Sequence, residues 1–178
     1  MNSAVIVAGG NGLRFGGDIP KQFYKLNGKE ILSYSVSTFC KHPQIDEIVI
    51  VCHLDWIEHV KSKYPKCIVT MGGERRQDSS LKGVMTTSHK TDIVLIHDAA
   101  RPFVSETIIT DCLAVLENCD GSAPILDSSD SLIEWDGKST FRINRSKIKI
   151  VQTPQCFRKK LILKVLPADF EGTDEIGM

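Results

Sequence analysis

Two runs, Ile48-Val49-Ile50-Val51 and Ile93-Val94-Leu95-Ile96, are apolar at every position. Successive side chains on a strand point to opposite faces, so strands built from these runs need cover on both sides. That requirement selects a mostly parallel sheet between two helix layers and excludes a sheet with one wet face. The rest of the pattern agrees: short β-branched runs predict strands over Ala4–Val7, Glu47–Cys52, Cys67–Thr70, Asp92–Ile96 and Ser122–Leu126. Between them, helical periodicity predicts helices over Ile31–Phe39, Leu54–Lys63, Asp78–Thr87 and Glu106–Glu117. The expected fold is a three-layer α/β/α Rossmann-like domain.

At 178 residues, 42% of them hydrophobic, the chain fits one domain, 1–178, large enough to hold a core without disulfide or metal staples. Its 22 basic and 22 acidic residues cancel and are scattered, which argues against a nucleic-acid or anionic-membrane partner. The apolar stretch near Met1 is too short for a signal peptide or a membrane span, so a cytoplasmic location is expected. Six cysteines lie singly, with no CxxC pair and no zinc-finger spacing, and read as reduced, mostly buried thiols.

In open sheets of this kind ligands bind beyond the carboxyl ends of the strands. Three distinctive segments fall there: Gly9 to Gly17, Gly72 to Ser80, and His97 to Phe103. The first, Ala8-Gly9-Gly10-Asn11-Gly12-Leu13-Arg14-Phe15-Gly16-Gly17, offers flexible backbone N–H groups to a phosphate or a base. It is neither a Rossmann fingerprint, which needs glycine at Phe15, nor a Walker A loop, which needs Lys-Ser/Thr at Asp18-Ile19. Arg14 and Lys21 follow as two cations spaced to suit a triphosphate; a structural turn with two solvated surface cations is the plainer alternative. In Gly72-Gly73-Glu74-Arg75-Arg76-Gln77-Asp78-Ser79-Ser80, Asp78 and Ser79 also fit as ordinary helix N-caps.

His97-Asp98-Ala99-Ala100-Arg101-Pro102 is the most informative stretch. Asp98 follows a buried strand, at a rim where its carboxylate could bridge Mg²⁺ to phosphate oxygens, or could simply satisfy a turn. Ala99 and Ala100 admit a flat ligand, and Arg101 offers a fork suited to phosphate. His42, His53, His59 and His89 show no partner spacing, and Cys156 lacks a nearby base and reads as packing. Farther on, Asp136-Gly137 separates Leu132–Trp135 from Thr140–Asn144, a hairpin signal. Residues 127–151 are therefore expected to form a β-arm, and apolar residues on it point to a partner subunit.

Taken in order, Ala8 to Arg14 with Pro20-Lys21-Gln22, Gly72 to Arg76 with Ser79, His97 to Pro102, Thr153-Pro154-Gln155 and Thr173-Asp174 resemble the cytidylyltransferases that attach CMP to a polyol phosphate. That family comprises the 2-C-methyl-D-erythritol 4-phosphate and ribitol-5-phosphate cytidylyltransferases. The resemblance implies a nucleotidyltransferase fold and CMP transfer from CTP with release of pyrophosphate. It assigns Arg14 and Lys21 to catalysis on the triphosphate. Ala8, Gly9, Gly10, Gly12, Gly73, Ser79 and Ala99 would bind the nucleotide. Asp98 would orient the polyol and help to place Mg²⁺ or another divalent cation, with Arg101 beside it. The arm would join a homodimer, carrying Ser128 and Arg145 to the acceptor phosphate in the neighbouring subunit's site.

The family pattern continues past Thr173-Asp174 with a strand and helix supplying a second metal-side aspartate and a lysine, so the domain is expected to be truncated at its C-terminal end. The acceptor is expected to be methylerythritol phosphate, for isoprenoid precursor synthesis outside the mevalonate route. Ribitol phosphate, for CDP-ribitol and cell-surface polymers, is the alternative: Ala8-Gly9-Gly10 and His53-Leu54-Asp55-Trp56-Ile57 resemble the ribitol enzymes, and His97 to Arg101 the methylerythritol ones. A non-catalytic nucleotide-binding subunit is a second alternative. A sugar-nucleotide pyrophosphorylase would show a longer Gly-rich signature with added arginine and lysine.

Overall fold

The structure is a computed structural model that describes residues 1–10, 19–166 and 175–176. Its strands are β1 (Asn2–Ala8), β2 (Lys25–Leu26), β3 (Lys29–Glu30), β4 (Glu47–Cys52), β5 (Ile68–Met71), β6 (Ile93–Asp98), β7 (Gly121–Ser122), β8 (Ile125–Asp127), β9 (Ile133–Trp135), β10 (Thr140–Arg142), β11 (Lys149–Val151) and β12 (Gln155–Arg158). Its helices are α1 (Ile31–Lys41), α2 (Ile57–Lys63), α3 (Arg76–Thr86), α4 (Glu106–Val115) and α5 (Lys159–Val165). The main sheet has the order β5-β4-β1-β6-β12-β7. Its first four strands are parallel, and β12 enters antiparallel to both β6 and β7.

Alternation along the central strands divides the core in two. Ala4, Ile6 and Ala8 of β1, Ile48, Ile50 and Cys52 of β4, and Leu95 of β6 meet Leu32, Val36 and Phe39 of α1, with Val60 of α2 and Ile109 of α4. Val5, Val49, Val51, Val94 and Ile96 face the other way, against Val84 of α3 and Ile162 of α5. The last two residues of β6 inherit this parity. His97 falls on the α1 side and Asp98 on the α3 side.

The structure adds β2, β3 and α5 to the elements expected from sequence and differs from them elsewhere. Ser122–Leu126 is not one strand: Pro124 has no N–H for a ladder, and the chain leaves the main sheet after Ser122 and starts β8 at Ile125. β8 then pairs with β11, and β9 with β10 through Thr140 opposite Trp135, so the segment from Ile125 to Val151 forms two separate antiparallel pairs. Gln155–Arg158, for which the sequence pattern predicts no strand, is a sheet strand. The helix expected from Leu54 opens as a 3-10 turn, Leu54–Trp56, before α2. All six cysteines are free; Cys52, Cys112 and Cys156 are buried, but Cys40 and Cys119 are exposed, so the expectation of mostly buried thiols holds for only half of them.

Close packing of α3 on the sheet depends on Gly83. A Cβ there would lie 2.3 Å from Val5 Cγ1 and 2.7 Å from Val51 Cγ2. Alanine would gain about 1 kcal/mol of helix propensity and lose ~1–3 kcal/mol to overpacking between two stiff valines. Gly83→Ala is therefore expected to lower the urea midpoint with an unchanged slope; a higher midpoint would show that the helix is not seated this closely.

Candidate active site

Strand order reverses beside β1: the chain moves from β1 to β4 and β5 on one side, then crosses to β6 on the other. The carboxyl ends of β1 and β6 therefore open a crevice, and a cavity of about 770 Å³ lies there. Ala8 reaches it from the end of β1, and Gly9, Gly10 and Lys21 from the segment that follows. Gly73 and Ser79 reach it from the turn and first residues of α3, and Asp98, Ala99 and Arg101 from the end of β6. Arg14 and Gly12 lie outside the described residues. Ser128 and Arg145 do not line this cavity. They sit on the arm, where Arg145 Nη1 donates to the Ser129 carbonyl at 3.1 Å.

Lys21 opens a 3-10 turn, Lys21–Phe23, whose next two side chains are buried. The Gln22 amide donates to the carbonyls of Ala8 at 2.6 Å and Gly10 at 3.1 Å, and Phe23 stacks on Trp56 with ring centroids 4.0 Å apart. With Gln22 and Phe23 anchored inward, Lys21 is left on the cavity wall.

Opposite, α3 begins with a capping box. The Arg75 N–H donates to Asp78 Oδ2 at 3.0 Å, so Asp78 is the third residue of the helix and the cap itself is Arg75. Ser79 is not a cap either: its hydroxyl accepts from the Gly73 N–H at 3.0 Å and donates to the Arg75 carbonyl at 3.2 Å. Glycine is required at 73, where a Cβ would lie 2.3 Å from Asp78 Cβ.

Asp98 is held from two sides. Arg76 places Nε and Nη2 3.0 Å from Oδ1, and Arg101 donates Nε–H to Oδ2 at 3.0 Å. Burial opposes the charge, but the Arg76 guanidinium, aided by Arg101, keeps the carboxyl below its usual range. Arg76 itself is clamped by Glu175, donating Nη1–H to both carboxylate oxygens at 2.7 Å. Glu175 is almost wholly buried and also accepts from Ser80 at 2.6 Å. Burial works against the Arg76 charge, and the two carboxylates more than offset it, raising its pKa. The Arg101 fork turns to Asp98 and to the Gln152 side-chain oxygen, at the root of the arm.

The sequence assigns no role to Arg76, Glu175 or His97, although Arg76 and His97 stand inside the motifs quoted above. Arg76 could have been found by spacing, since a residue at the start of α3 faces the carboxyl end of β6. Nothing in the sequence marks Glu175, which meets Arg76 across 99 positions.

Among the described residues, no three His, Cys, Asp or Glu side chains gather as a metal cage. Mg²⁺ is commonly held by one or two carboxylates together with substrate phosphates and water. Asp98 supplies one carboxylate on the cavity wall, which fits an ion carried in by phosphates once a guanidinium yields one oxygen.

Residues 2–178 match the profile of the IspD family, 2-C-methyl-D-erythritol 4-phosphate cytidylyltransferase. The protein of that name from Clostridium acetobutylicum is 39% identical, over 97% of this chain and 79% of its own. The 4-diphosphocytidyl-2C-methyl-D-erythritol synthase of Anaerococcus prevotii superposes with a TM-score of 0.87 at 28% identity, covering 99% of this chain and 79% of that one. The bifunctional IspDF of Campylobacter jejuni gives 0.86 at 27% identity, covering 99% of this chain and 46% of its own.

His97 is fully buried, and burial pushes its pKa from 6.5 down to about 4. The unfolded chain takes up a proton that the native ring refuses, so between these values stability falls as pH falls. The shift corresponds to about 3 kcal/mol. His97→Gln is expected to remove that part of the pH dependence, measured as the wild-type minus variant difference in urea stability from pH 7 to 4; a difference flat across this range would contradict a neutral buried ring.

Proposed function

The chain belongs to the 2-C-methyl-D-erythritol 4-phosphate cytidylyltransferase family, and we propose that it transfers CMP from CTP to 2-C-methyl-D-erythritol 4-phosphate. A phosphate oxygen of the acceptor forms a bond to the α-phosphorus of CTP, the bond from that phosphorus to the β-phosphate oxygen breaks, and pyrophosphate leaves. No covalent enzyme intermediate is needed, because an ionised phosphate is already a nucleophile. The protein's work is positioning and charge stabilisation.

The observation that carries this reading is the meeting of Lys21, the Gly73–Ser79 turn and Asp98 on one cavity between the ends of β1 and β6, in a chain of this family. Backbone at Ala8, Gly9, Gly10, Gly73 and Ala99, with Ser79, binds cytosine and ribose. Lys21, joined by Arg14, neutralises charge on the triphosphate, and Asp98 with Arg101 orients the acceptor. Enzymes of this family generally use a divalent metal. Mg²⁺ beside Asp98 would shield the phosphate charges and favour departure of pyrophosphate.

Lys21→Ala is expected to lower kcat by about a hundredfold or more while leaving the urea midpoint nearly unchanged. Pyrophosphate release assayed with methylerythritol phosphate, ribitol phosphate and sugar 1-phosphates against four nucleoside triphosphates tests donor and acceptor together. The expected result is selective turnover of CTP with the first acceptor; full activity in Lys21→Ala, or preference for another pair, would contradict the reading.

The arm exposes Leu126, Ile133, Trp135 and Phe141, which fits a homodimer in which Ser128 and Arg145 hold the acceptor phosphate in the neighbouring subunit's site. Arg145→Ala should then raise the acceptor KM and leave CTP binding nearly unchanged. Mixing Lys21→Ala with Arg145→Ala protein is expected to restore about a quarter of wild-type activity, since statistical exchange makes half the dimers hybrid with one intact site each. Absence of recovery in a proven subunit exchange would place Arg145 in its own subunit's site.

A further inference from the structure

At the end of β6 the polypeptide sends Asp98 toward α3 and His97 toward α1, and the fixing of Asp98 by Arg76 explains only one side of this junction. The other side is a directed chain of hydrogen bonds. His97 Nε2 lies 3.1 Å from the Arg101 carbonyl oxygen and 3.3 Å from Ser35 Oγ. A carbonyl can only accept, so Nε2 carries the proton of the neutral ring. Nδ1 is then an acceptor, and Thr153 Oγ1 donates to it at 2.9 Å. Thr153 Oγ1 in turn accepts from the Asp98 N–H at 3.4 Å, and the Arg101 N–H donates to the Asp98 carbonyl at 3.0 Å. The Ser35 hydroxyl also reaches the Arg101 carbonyl, at 3.1 Å. Phe39 packs against the imidazole, with ring centroids 5.2 Å apart, and limits its rotation.

We propose that His97 is a positioning residue for cytidylyl transfer, clamping the Asp98–Arg101 turn at both ends through Thr153 and the Arg101 carbonyl. The inference rests on the reading above that Asp98 and Arg101 serve the acceptor. The ring touches no substrate. It sets the direction in which the Asp98 carboxylate and the Arg101 guanidinium leave the sheet, and it does so from inside the core, where the hydrogen bonds face no competition from water. Only one tautomer satisfies every partner, so the clamp has a single arrangement.

His97→Phe keeps a ring of similar bulk and removes both polar contacts. The expected result is a rise in the acceptor KM on the order of tenfold, with a smaller rise in the CTP KM, because, of the nucleotide's contacts, only backbone at Ala99 lies in this turn. His97→Gln, whose amide N–H can reach the Arg101 carbonyl, is expected to recover most of the acceptor affinity. Thr153→Val breaks the same chain from the other end and carries the test if His97→Phe does not fold. A double variant should lose no more than the worse single one. The proposal is overturned if both KM values stay at wild type while only the folded fraction falls, or if the two substitutions add independently. Imidazole ¹⁵N spectra of the wild type give an answer that does not depend on turnover: an Nε2-protonated, Nδ1-accepting His97 is expected, and the opposite tautomer would remove the clamp even from an active enzyme. A wild type that releases no pyrophosphate would refute the reaction and leave the spectrum to decide the clamp.

Discussion

The parallel pairing of β1 with β6 is the constraint from which the site follows. The strands run in register with Val5 opposite Ile96 and Val7 opposite Asp98, and helices cover both of their faces. Between Ser3, whose buried hydroxyl is satisfied by Glu47 and Thr91, and the carboxyl ends, β1 is apolar; at those ends the ladder stops and backbone groups need other partners. Those partners are local and specific. The Ala99 N–H donates to the Val7 carbonyl at 3.0 Å, and the Gln22 amide takes up the Ala8 and Gly10 carbonyls. The groups that end the sheet are the groups that shape the cavity, so core packing and site geometry cannot be changed separately.

Charge is distributed over this frame with equal economy. Glu175 and Arg76 form an ion pair with one partner out of solvent. Such pairs add little net stability, because desolvation offsets the attraction, whereas removing one partner leaves a buried charge at a cost of about 3–5 kcal/mol. What the pair supplies is direction: Arg76 has one edge fixed on Glu175 and the other on Asp98. Arg101 closes the opposite oxygen and extends to Gln152. Asp98 thereby sits between α3 on one side and the root of the arm on the other, and a shift in either element reaches the carboxylate through a single guanidinium.

Much of this was legible in the sequence, for identifiable reasons. Fully apolar runs at 48–51 and 93–96 can be satisfied only by a two-sided core, and the loops at their carboxyl ends had to carry whatever chemistry the chain possesses. The Asp136-Gly137 turn is a local signal and gave the correct hairpin pairing. Less legible were features set by long-range contact. β12 contains Gln155 and Arg158 and is too short and too mixed to announce a strand, yet it is stabilised by lying between β6 and β7. Pro124 should have divided the strand expected over Ser122–Leu126. The fork of Arg101 is a local feature and so is its Asp98 partner three residues earlier, but its contact with Gln152 exists only once the end of β6 and the residues after β11 lie side by side. His97 stands in the most informative stretch, yet its role is not legible there, since a histidine at the end of an apolar strand does not disclose which face it will take until strand parity is known.

If one crevice, between the ends of β1 and β6, holds the nucleotide, a crystal structure of the protein with CTP will show cytosine against the backbone of Gly73 and Ala99 near Ser79, with the phosphates directed toward Lys21. A nucleotide bound elsewhere, such as the groove between α4 and β8 lined by Ile108, Val115 and Ile125, would contradict that placement.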